Sequence, residues 1–165
     1  MTHQVYLSIG SNLGDKSGVC LSAVNELNSS DKITVIARSS LYETEPEGYK
    51  RQPSFVNMAV EIQTAFSPEA LLVELKEIEK RLGRKKSFRW GPRIIDIDII
   101  FYGSEIVSSA GLEIPHPRTN ERAFVLYPLC ELDGNIENPV TGKKVADMIK
   151  ELSCKGAIRK ISKDG

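Results

Sequence analysis

The pattern of apolar and polar positions predicts alternating strands and helices over the first two thirds of the chain. Short apolar runs rich in β-branched residues predict strands, and apolar residues at three-to-four spacing predict helices. The predicted strands cover 5–10, 33–42, 55–62 and 94–102. One predicted helix ends near Asn28, and the other follows Ser67 as its N-cap and stops at Gly83. We therefore predict an α+β fold with a ferredoxin-like βαββαβ core, its helices packed on a mainly antiparallel sheet.

The last third of the chain has a looser pattern, which we interpret as an elaboration of this core. An extended piece is expected near 105–107, an apolar segment at 123–132 and a final helix at 145–152. Repeats, low-complexity segments and linkers are absent from the sequence, so we expect residues 1–165 to form a single domain.

Composition narrows the class of protein. The formal net charge is zero, so no global field draws the chain to nucleic acid or to a membrane surface. No apolar run approaches the roughly 20 residues of a membrane span, and the N-terminus starts with a strand pattern rather than a signal peptide. The three cysteines are far apart, as expected of reduced thiols. We expect a cytoplasmic, monomeric protein that binds neither nucleic acid nor a membrane.

The segment RWGPRIIDIDIIFYG, residues 89–103, places two carboxylates inside an apolar strand. Side chains alternate along a strand, so Asp96 and Asp98 share one face with Cα atoms about 6.5–7 Å apart. The same alternation puts Ile94, Ile100 and Tyr102 on the Asp face, and Ile95, Ile97, Ile99 and Phe101 on the other. Two close carboxylates repel, and a divalent cation such as Mg²⁺ relieves that repulsion. The alternative is a half-exposed strand with an acidic outer face.

A basic segment precedes the acidic strand, and its five cations fall within ten residues: Arg84, Lys85, Lys86, Arg89 and Arg93. Phosphoryl transfer depends on positioning and on positive charge around phosphorus, so cations beside a metal pair favour a nucleotide polyphosphate site. The alternatives are a solvated loop and a patch for RNA. Downstream, His116, Arg118 and Arg122 are candidates to lie near the same end of the sheet.

Phe55 and Asn57 are two residues apart on a predicted strand and therefore share a face. An aromatic ring beside a side-chain amide suits a flat heterocycle, which stacks on the ring and forms hydrogen bonds at its edge. Phe124 is a candidate for a second stacking surface. The alternative is that Phe55 is an ordinary core residue.

Taken in order, these stretches resemble the 6-hydroxymethyl-7,8-dihydropterin pyrophosphokinase family of folate biosynthesis. The similar segments are LSIGSNLGD at 7–15, YETEPEG at 42–48, QPSFVNMAV at 52–60, LKEIEKRLGR at 75–84, RWGPRIIDIDIIFYG at 89–103 and IPHPRTNERAFVLYPL at 114–129. The resemblance implies transfer of the β,γ-pyrophosphoryl group of ATP to the dihydropterin hydroxymethyl oxygen, releasing AMP.

The resemblance also implies a function for individual residues. Asp96 and Asp98 match the ligands of two Mg²⁺ ions that accompany ATP. Arg84 and Arg93 match catalytic arginines that also contact ATP, and further ATP contacts match Glu79, Trp90, His116 and Arg122. The pterin-binding positions match Thr44, Phe55, Asn57, Asp96 and Phe124.

Two other functional interpretations of the sequence remain open. A nucleotidyl transferase also uses paired acids and Mg²⁺, but its nucleophile attacks the α-phosphorus. A ferredoxin-like binding module would have no catalytic function at all. Within the family reading, Glu45 and Glu47 replace the proline or aliphatic residues that are common in the loop at 43–53. We expect that loop and the one at 84–93 to close over ATP.

Overall fold

The computed structural model describes residues 2–45, 53–84, 93–152 and 158–161. Within these ranges the strands are β1 His3–Ser11, β2 Ile33–Arg38, β3 Tyr42–Thr44, β4 Phe55–Thr64, β5 Asp96–Tyr102, β6 Val107–Ser109, β7 Leu112–Ile114 and β8 Ile158–Lys160. The α-helices are α1 Lys16–Asn28, α2 Pro68–Arg81, α3 Ala123–Leu132 and α4 Val145–Lys150. A 3-10 turn at Thr119–Glu121 precedes α3.

The main sheet is antiparallel throughout its described pairs and has the order β5-β1-β4-β3-β8. β2 pairs with the second half of β4, and β3 pairs with the first half, so both lie along one edge of β4. When β2 and β3 count as one broken strand, this is the strand order of a ferredoxin-like fold. The predicted α+β class is confirmed.

One face of the sheet is covered by α1 and α2. Alternate residues of β1, β4 and β5, among them Leu7, Met58 and Ile97, pack there against Leu27 of α1 and Leu75 of α2. Helix α2 begins as predicted, because the Ser67 side chain accepts a hydrogen bond from the Ala70 N–H and Pro68 occupies the first helical position.

The opposite face carries a second core, formed with α3 and α4. Tyr6, Ala59 and Phe101 from the three central strands pack there against α3 and α4 residues such as Leu126 and Met148. Tyr6 and Ala59 lie in the middle of β1 and β4, and Phe101 lies near the end of β5. Beyond them the same face of β1, β4 and β5 carries polar or small residues together with the aromatic Phe55.

The prediction of which β5 side chains share a face of the sheet is wrong for the second half of the strand. Leu7 of β1 pairs with Ile99 but Tyr6 pairs with Phe101, so the register shifts by one residue at Ile100. This bulge sends Tyr102 into the core under α1 and α2, and it sends Phe101 into the core under α3 and α4. Ile94 also packs against the first core, contrary to the expected alternation.

Other elements differ from the sequence-based prediction in their extent. The strand expected at 33–42 is broken into β2 and β3, and β8 has no predicted counterpart. The apolar segment 123–132 is helix α3, with Pro128 in its interior. No described helix has the combination of length and apolar character that crossing a membrane requires.

Candidate active site

A cleft of about 300 Å³ opens on the half of the sheet face that α3 and α4 leave uncovered. Its floor is formed by the end of β1 and the beginnings of β4 and β5, which meet because these strands are antiparallel. The described residues that line it are Ser8, Gly10, Thr44, Glu45, Phe55, Asn57, Lys76, Arg84, Arg93, Asp96, Asp98, His116, Arg122 and Phe124.

A row across three strands forms the centre of the floor. Gly10 of β1 pairs with Asn57 on one side and with Asp96 on the other. A Cβ atom at Gly10 would lie 2.6 Å from Oδ1 of Asn57, so the amide leans over the glycine. The Asn57 Nδ2 donates a hydrogen bond to Oγ1 of Thr44 at 3.1 Å, which fixes the amide within the floor. The Asn57 amide and the Asp96 carboxylate therefore lie on the two strands that flank Gly10, which has no side chain.

Asp96 is the carboxylate that the arginines hold. Its Oδ1 accepts from Nη1 of Arg84 at 3.1 Å, and its Oδ2 lies 3.5 Å from Nη1 of Arg93. Both arginine side chains are partly exposed and lie in the cleft lining. The two cations thus come from opposite ends of the basic segment and converge on one acid.

Asp98 has a different environment, although it lies two residues further along the same face. Burial, together with the charge on Asp96, raises the pKa of Asp98 to about 7, and Arg122 opposes this shift. Burial is the larger cause of this shift, and the charge of Asp96 adds to it in the direction expected for two close carboxylates.

Glu79 lies behind the acid pair and is almost fully buried. Its Oε2 accepts from the Ile97 N–H and its Oε1 accepts from Nη1 of Arg84, each at 2.7 Å. Burial raises the pKa of Glu79, and the bonds from Ile97 and Arg84 oppose that effect. Glu79 is not among the described residues that line the cleft, so the structure gives it a supporting position that joins α2, β5 and Arg84.

The wall opposite α2 is formed by the segment that leads into α3. The guanidinium of Arg122 lies 5.4 Å from the centre of the Phe124 ring, so the cation lies over an aromatic face. Burial lowers the pKa of His116, and the charge of Arg122 adds to this effect. The imidazole is therefore neutral near pH 7 and has one donor and one acceptor nitrogen for a ligand.

Asn12 is fully buried and joins the two chain segments that carry Arg93 and Pro53. Its Oδ1 accepts from the Arg93 N–H at 2.7 Å, and its Nδ2 donates to the Pro53 carbonyl at 3.3 Å. Its own N–H donates to the Arg93 carbonyl at 3.0 Å. Asn12 thereby fixes Arg93 relative to the chain that enters β4 two residues before Phe55.

A second cavity, of about 320 Å³, adjoins the first along α2 and β7. The two cavities share Lys76, Asp98 and His116. The lining of the second also includes the apolar residues Leu72, Ile97, Ile99, Leu112 and Pro117. Asp98 consequently lies at the junction of the two cavities, whereas Asp96 lines the first alone.

The acid pair fits a Mg²⁺ ion on its donor chemistry. Two hard carboxylate oxygen donors share one face, and their mutual repulsion is relieved by a divalent cation. No group of three or more His, Cys, Asp or Glu side chains suited to a metal occurs in the part of the chain that the structure describes. Mg²⁺ typically takes one or two carboxylates and completes its shell with water and phosphate oxygens, so two acids are sufficient.

The structure brings ten of the predicted site residues together in the first cleft: Thr44, Phe55, Asn57, Arg84, Arg93, Asp96, Asp98, His116, Arg122 and Phe124. Glu79 lies behind it, and Arg118 lies outside the lining, where its Nε donates to Glu121. Trp90, Lys85, Lys86, Arg89 and Glu47 lie outside the described residues.

Sequence reasoning missed several lining or supporting residues, among them Ser8, Gly10, Asn12 and Lys76. A signal existed for the first two, because Ser8 and Gly10 are small and alternate with Leu7 and Ile9, as expected of a strand with a cleft on one face. Lys76 precedes Glu79 by three residues, and this spacing places both on one side of α2.

Comparison with known proteins gives one consistent family. A family model described as 7,8-dihydro-6-hydroxymethylpterin-pyrophosphokinase matches residues 6–134. The folic acid synthesis protein fol1 of Pneumocystis carinii is 47% identical over 148 residues, which are 90% of this chain and 20% of that protein. The 2-amino-4-hydroxy-6-hydroxymethyldihydropteridine pyrophosphokinase of Bacillus subtilis (strain 168) is 43% identical over 141 residues, 86% of this chain and 84% of the relative.

A solved structure supports the fold. The wild-type HPPK-DHPS of Plasmodium falciparum, crystallised with pterin and p-hydroxybenzoate, superposes with a TM-score of 0.72 at 17% identity. The match covers 92% of this chain and 42% of that one. The chain thus spans most of the bacterial relative but less than half of the Plasmodium protein and a fifth of the fungal one. On the family model and the identity to the bacterial enzyme, this chain belongs to the 7,8-dihydro-6-hydroxymethylpterin-pyrophosphokinase family.

Proposed function

We propose that the chain transfers the β,γ-pyrophosphoryl group of ATP to the hydroxymethyl oxygen of 6-hydroxymethyl-7,8-dihydropterin, giving AMP and the pterin pyrophosphate. The observation that carries this proposal is the meeting of an aromatic and amide wall with an acid pair and arginines in one cleft. The aromatic and amide wall suits a flat acceptor, and the acid pair with the arginines suits a metal-bound polyphosphate. The reaction requires the two binding surfaces to be adjacent.

The acceptor end of the cleft is the part around Asn57. Phe55 and Phe124 offer aromatic faces for stacking, and Asn57 and Thr44 offer hydrogen-bonding groups for the pterin edge. In this pose the hydroxymethyl group points along the floor, past Gly10, toward Asp96. Glu45 also lines this end and is a further acceptor for the amino group of the pterin.

The nucleotide enters through the second cavity. The apolar side chains in its lining, such as Leu72 and Leu112, suit the nucleoside, and the phosphates then cross the junction at Lys76, Asp98 and His116. Arg84, Arg93 and Arg122 lie on the far side of that junction, where the terminal phosphates arrive. Trp90, which lies outside the described residues, remains a predicted ATP contact by family resemblance, as does Glu79.

Asp96 and Asp98 are the residues we propose to hold Mg²⁺, with two ions accompanying ATP. When bound, Mg²⁺ supplies positive charge that neutralises the phosphate oxygens. The hydroxymethyl oxygen attacks the β-phosphorus, its bond to phosphorus forms, and the bond from that phosphorus to the α,β-bridging oxygen breaks. AMP leaves with the bridging oxygen, and the hydroxyl proton is released. Arg84 and Arg93 stabilise the charge that spreads over the transferred group.

The substrates also suggest where the enzyme acts. ATP and the reduced pterin are soluble small molecules, so we propose the cytoplasm as the compartment. We also propose that the enzyme acts as a monomer.

Product identification tests the proposal. The chain is incubated with ATP, Mg²⁺ and the hydroxymethyl dihydropterin, and the products are separated and identified by mass and by phosphorus NMR. We expect AMP and the pterin pyrophosphate in equal amounts, and no AMP when the 6-methyl analogue replaces the hydroxymethyl acceptor. Release of pyrophosphate would identify a nucleotidyl transferase instead. Absence of any product that depends on the acceptor would favour a binding module.

A further inference from the structure

Lys76 is a cation at the junction of the two cavities. Its side chain lines both, together with Asp98 and His116. Lys76 lies four residues after Leu72 and three before Glu79, so these three side chains share the side of α2 that runs along β5. Leu72 lines the second cavity, and Glu79 bonds to the β5 backbone.

The ammonium of Lys76 contributes little to the stability of the fold. Its contact is with Oε1 of Glu79 at 3.8 Å, and that oxygen already accepts from Arg84 at 2.7 Å. The side chain is 54% exposed, so the charge is largely hydrated. A pair at this distance whose lysine is half exposed contributes little to stability.

The other cations in the described cleft differ from Lys76 in their environment. Arg84 and Arg93 lie against Asp96, and Arg122 lies over the Phe124 ring. Lys76 instead projects from a regular helix at the boundary of the two spaces. Its position is therefore set by α2 and does not depend on the basic segment that follows this helix.

We propose that Lys76 binds the phosphate chain of the nucleotide where it passes from the second cavity to the acid pair. This inference rests on the proposed function, because it takes ATP as the ligand that spans the junction. A lysine ammonium is a mobile point charge with three donors, which suits a phosphate oxygen whose neighbours are also held by arginines. Lys76 thereby offsets part of the repulsion between the phosphates and the two carboxylates.

The test compares charge at position 76 with charge elsewhere on the same helix. Lys76→Gln removes the charge and keeps a polar side chain of similar length, and Lys76→Arg keeps the charge. Lys80→Gln is the matched control, because Lys80 is on α2, is 73% exposed and pairs with Glu77 at 3.5 Å, but lines neither cavity. Binding of a non-hydrolysable ATP analogue with Mg²⁺ is measured by calorimetry.

We expect Lys76→Gln to raise the dissociation constant of the analogue about tenfold, the size of one charge-assisted hydrogen bond. Lys76→Arg and Lys80→Gln should stay within about twofold of the parent chain. The effect should shrink for AMP and disappear for adenosine, since adenosine carries no phosphate. An affinity of Lys76→Gln equal to that of Lys80→Gln overturns the inference, as does an equal loss for adenosine and for the triphosphate.

Failure of this inference is distinguishable from failure of the proposed function. Formation of AMP and pterin pyrophosphate by the parent chain tests the reaction without any change at Lys76. If the parent forms these products and Lys76→Gln binds the analogue normally, only the assignment of Lys76 is wrong. If the parent forms no AMP, the reaction is wrong.

Discussion

The two faces of the sheet are built from the same strands but serve different purposes. On one face α1 and α2 cover β1, β4 and β5, and the core residues there, such as Leu7 and Ile62, are fully buried. On the other face α3 and α4 cover only the half that carries Tyr6, Ala59 and Phe101. The uncovered half carries the candidate active site.

This difference separates stability from chemistry within single strands. Along β5, Ile97 and Ile99 pack under α1 and α2, while Asp96 and Asp98 face the cleft. Apolar burial on the first face stabilises the fold, whereas placing like charges on the second face destabilises it. A substitution on the helix-covered face should therefore lower stability and leave turnover nearly unchanged. A substitution of the acids on the open face should lower turnover without lowering stability.

The largest expected effect is that of removing both acids. Asp96→Ala combined with Asp98→Ala should reduce turnover by at least about a thousandfold, because the proposed metal ligands and the charge that holds Arg84 and Arg93 are lost. Stability without Mg²⁺ should not fall. The partly exposed ion pairs of Asp96 contribute about 1 kcal/mol or less, and removing the buried charge of Asp98 offsets that loss.

The matched change on the other face is Ile62→Val. Ile62 is fully buried, and the missing methyl group should cost about 0.5–1.5 kcal/mol in the free energy of unfolding. Turnover should remain within about twofold, since only the helix-covered face changes. Urea unfolding in EDTA and product formation under saturating substrates measure both quantities. A double acid variant that keeps a tenth of the parent turnover would contradict the separation.

The sequence predicted the parts of this arrangement that depend on local periodicity. Alternation alone placed Asp96 and Asp98 on one face, and Phe55 and Asn57 on one face. Short-range signals also defined α2, whose start follows from Ser67 and Pro68 and whose end at Arg81 is followed, after the C-cap Leu82, by Gly83 at φ 98°.

The remaining features depend on contacts between distant parts of the chain. The bulge in β5 arises from its pairing with Tyr6 and Leu7, which no local pattern encodes. Helix α3 is apolar on several sides because it lies between the sheet and α4, so a 3.6-residue period is weak, and Pro128 further obscures it. Glu79 is held in its supporting position by the backbone N–H of Ile97. Because every non-proline residue carries such a group, the sequence does not indicate which side chain will bind to it.

A second prediction tests the floor of the cleft at Gly10. Gly10→Ala would place a Cβ atom 2.6 Å from Oδ1 of Asn57, so the amide must rotate and its bond to Thr44 is lost. Gly10 lies in a strand without a positive φ, so backbone strain does not contribute. Binding of the pterin should weaken about tenfold, while binding of the nucleotide changes by less than about twofold.

A double-mutant cycle supplies the control for Gly10. If the alanine acts through the Asn57 amide, Gly10→Ala should add nothing to the pterin affinity loss of Asn57→Ala. Pterin affinity is measured by fluorescence titration for the parent chain, both single variants and the double variant. Additive losses would show that Gly10 acts independently of Asn57.

Asp98→Asn should give a pH-dependent gain in stability in metal-free protein. The pKa of Asp98 is about 7 in the folded chain and 3.8 for an ordinary aspartate. Between these pH values the folded chain keeps a proton that the unfolded chain has released, so stability falls as pH rises through this window. Asparagine does not ionise, and the variant escapes this loss. Its stability relative to the parent should therefore rise by about 1–3 kcal/mol between pH 4 and pH 8.

Urea unfolding in EDTA at pH 4, 6 and 8 measures this rise. Ile62→Val on the helix-covered face provides the contrast, because an apolar change should cost the same amount at each pH. A difference between Asp98→Asn and the parent that stays constant over this range would mean that Asp98 is as easily ionised as an exposed acid. The strain that we assign to the open face would then have to lie elsewhere.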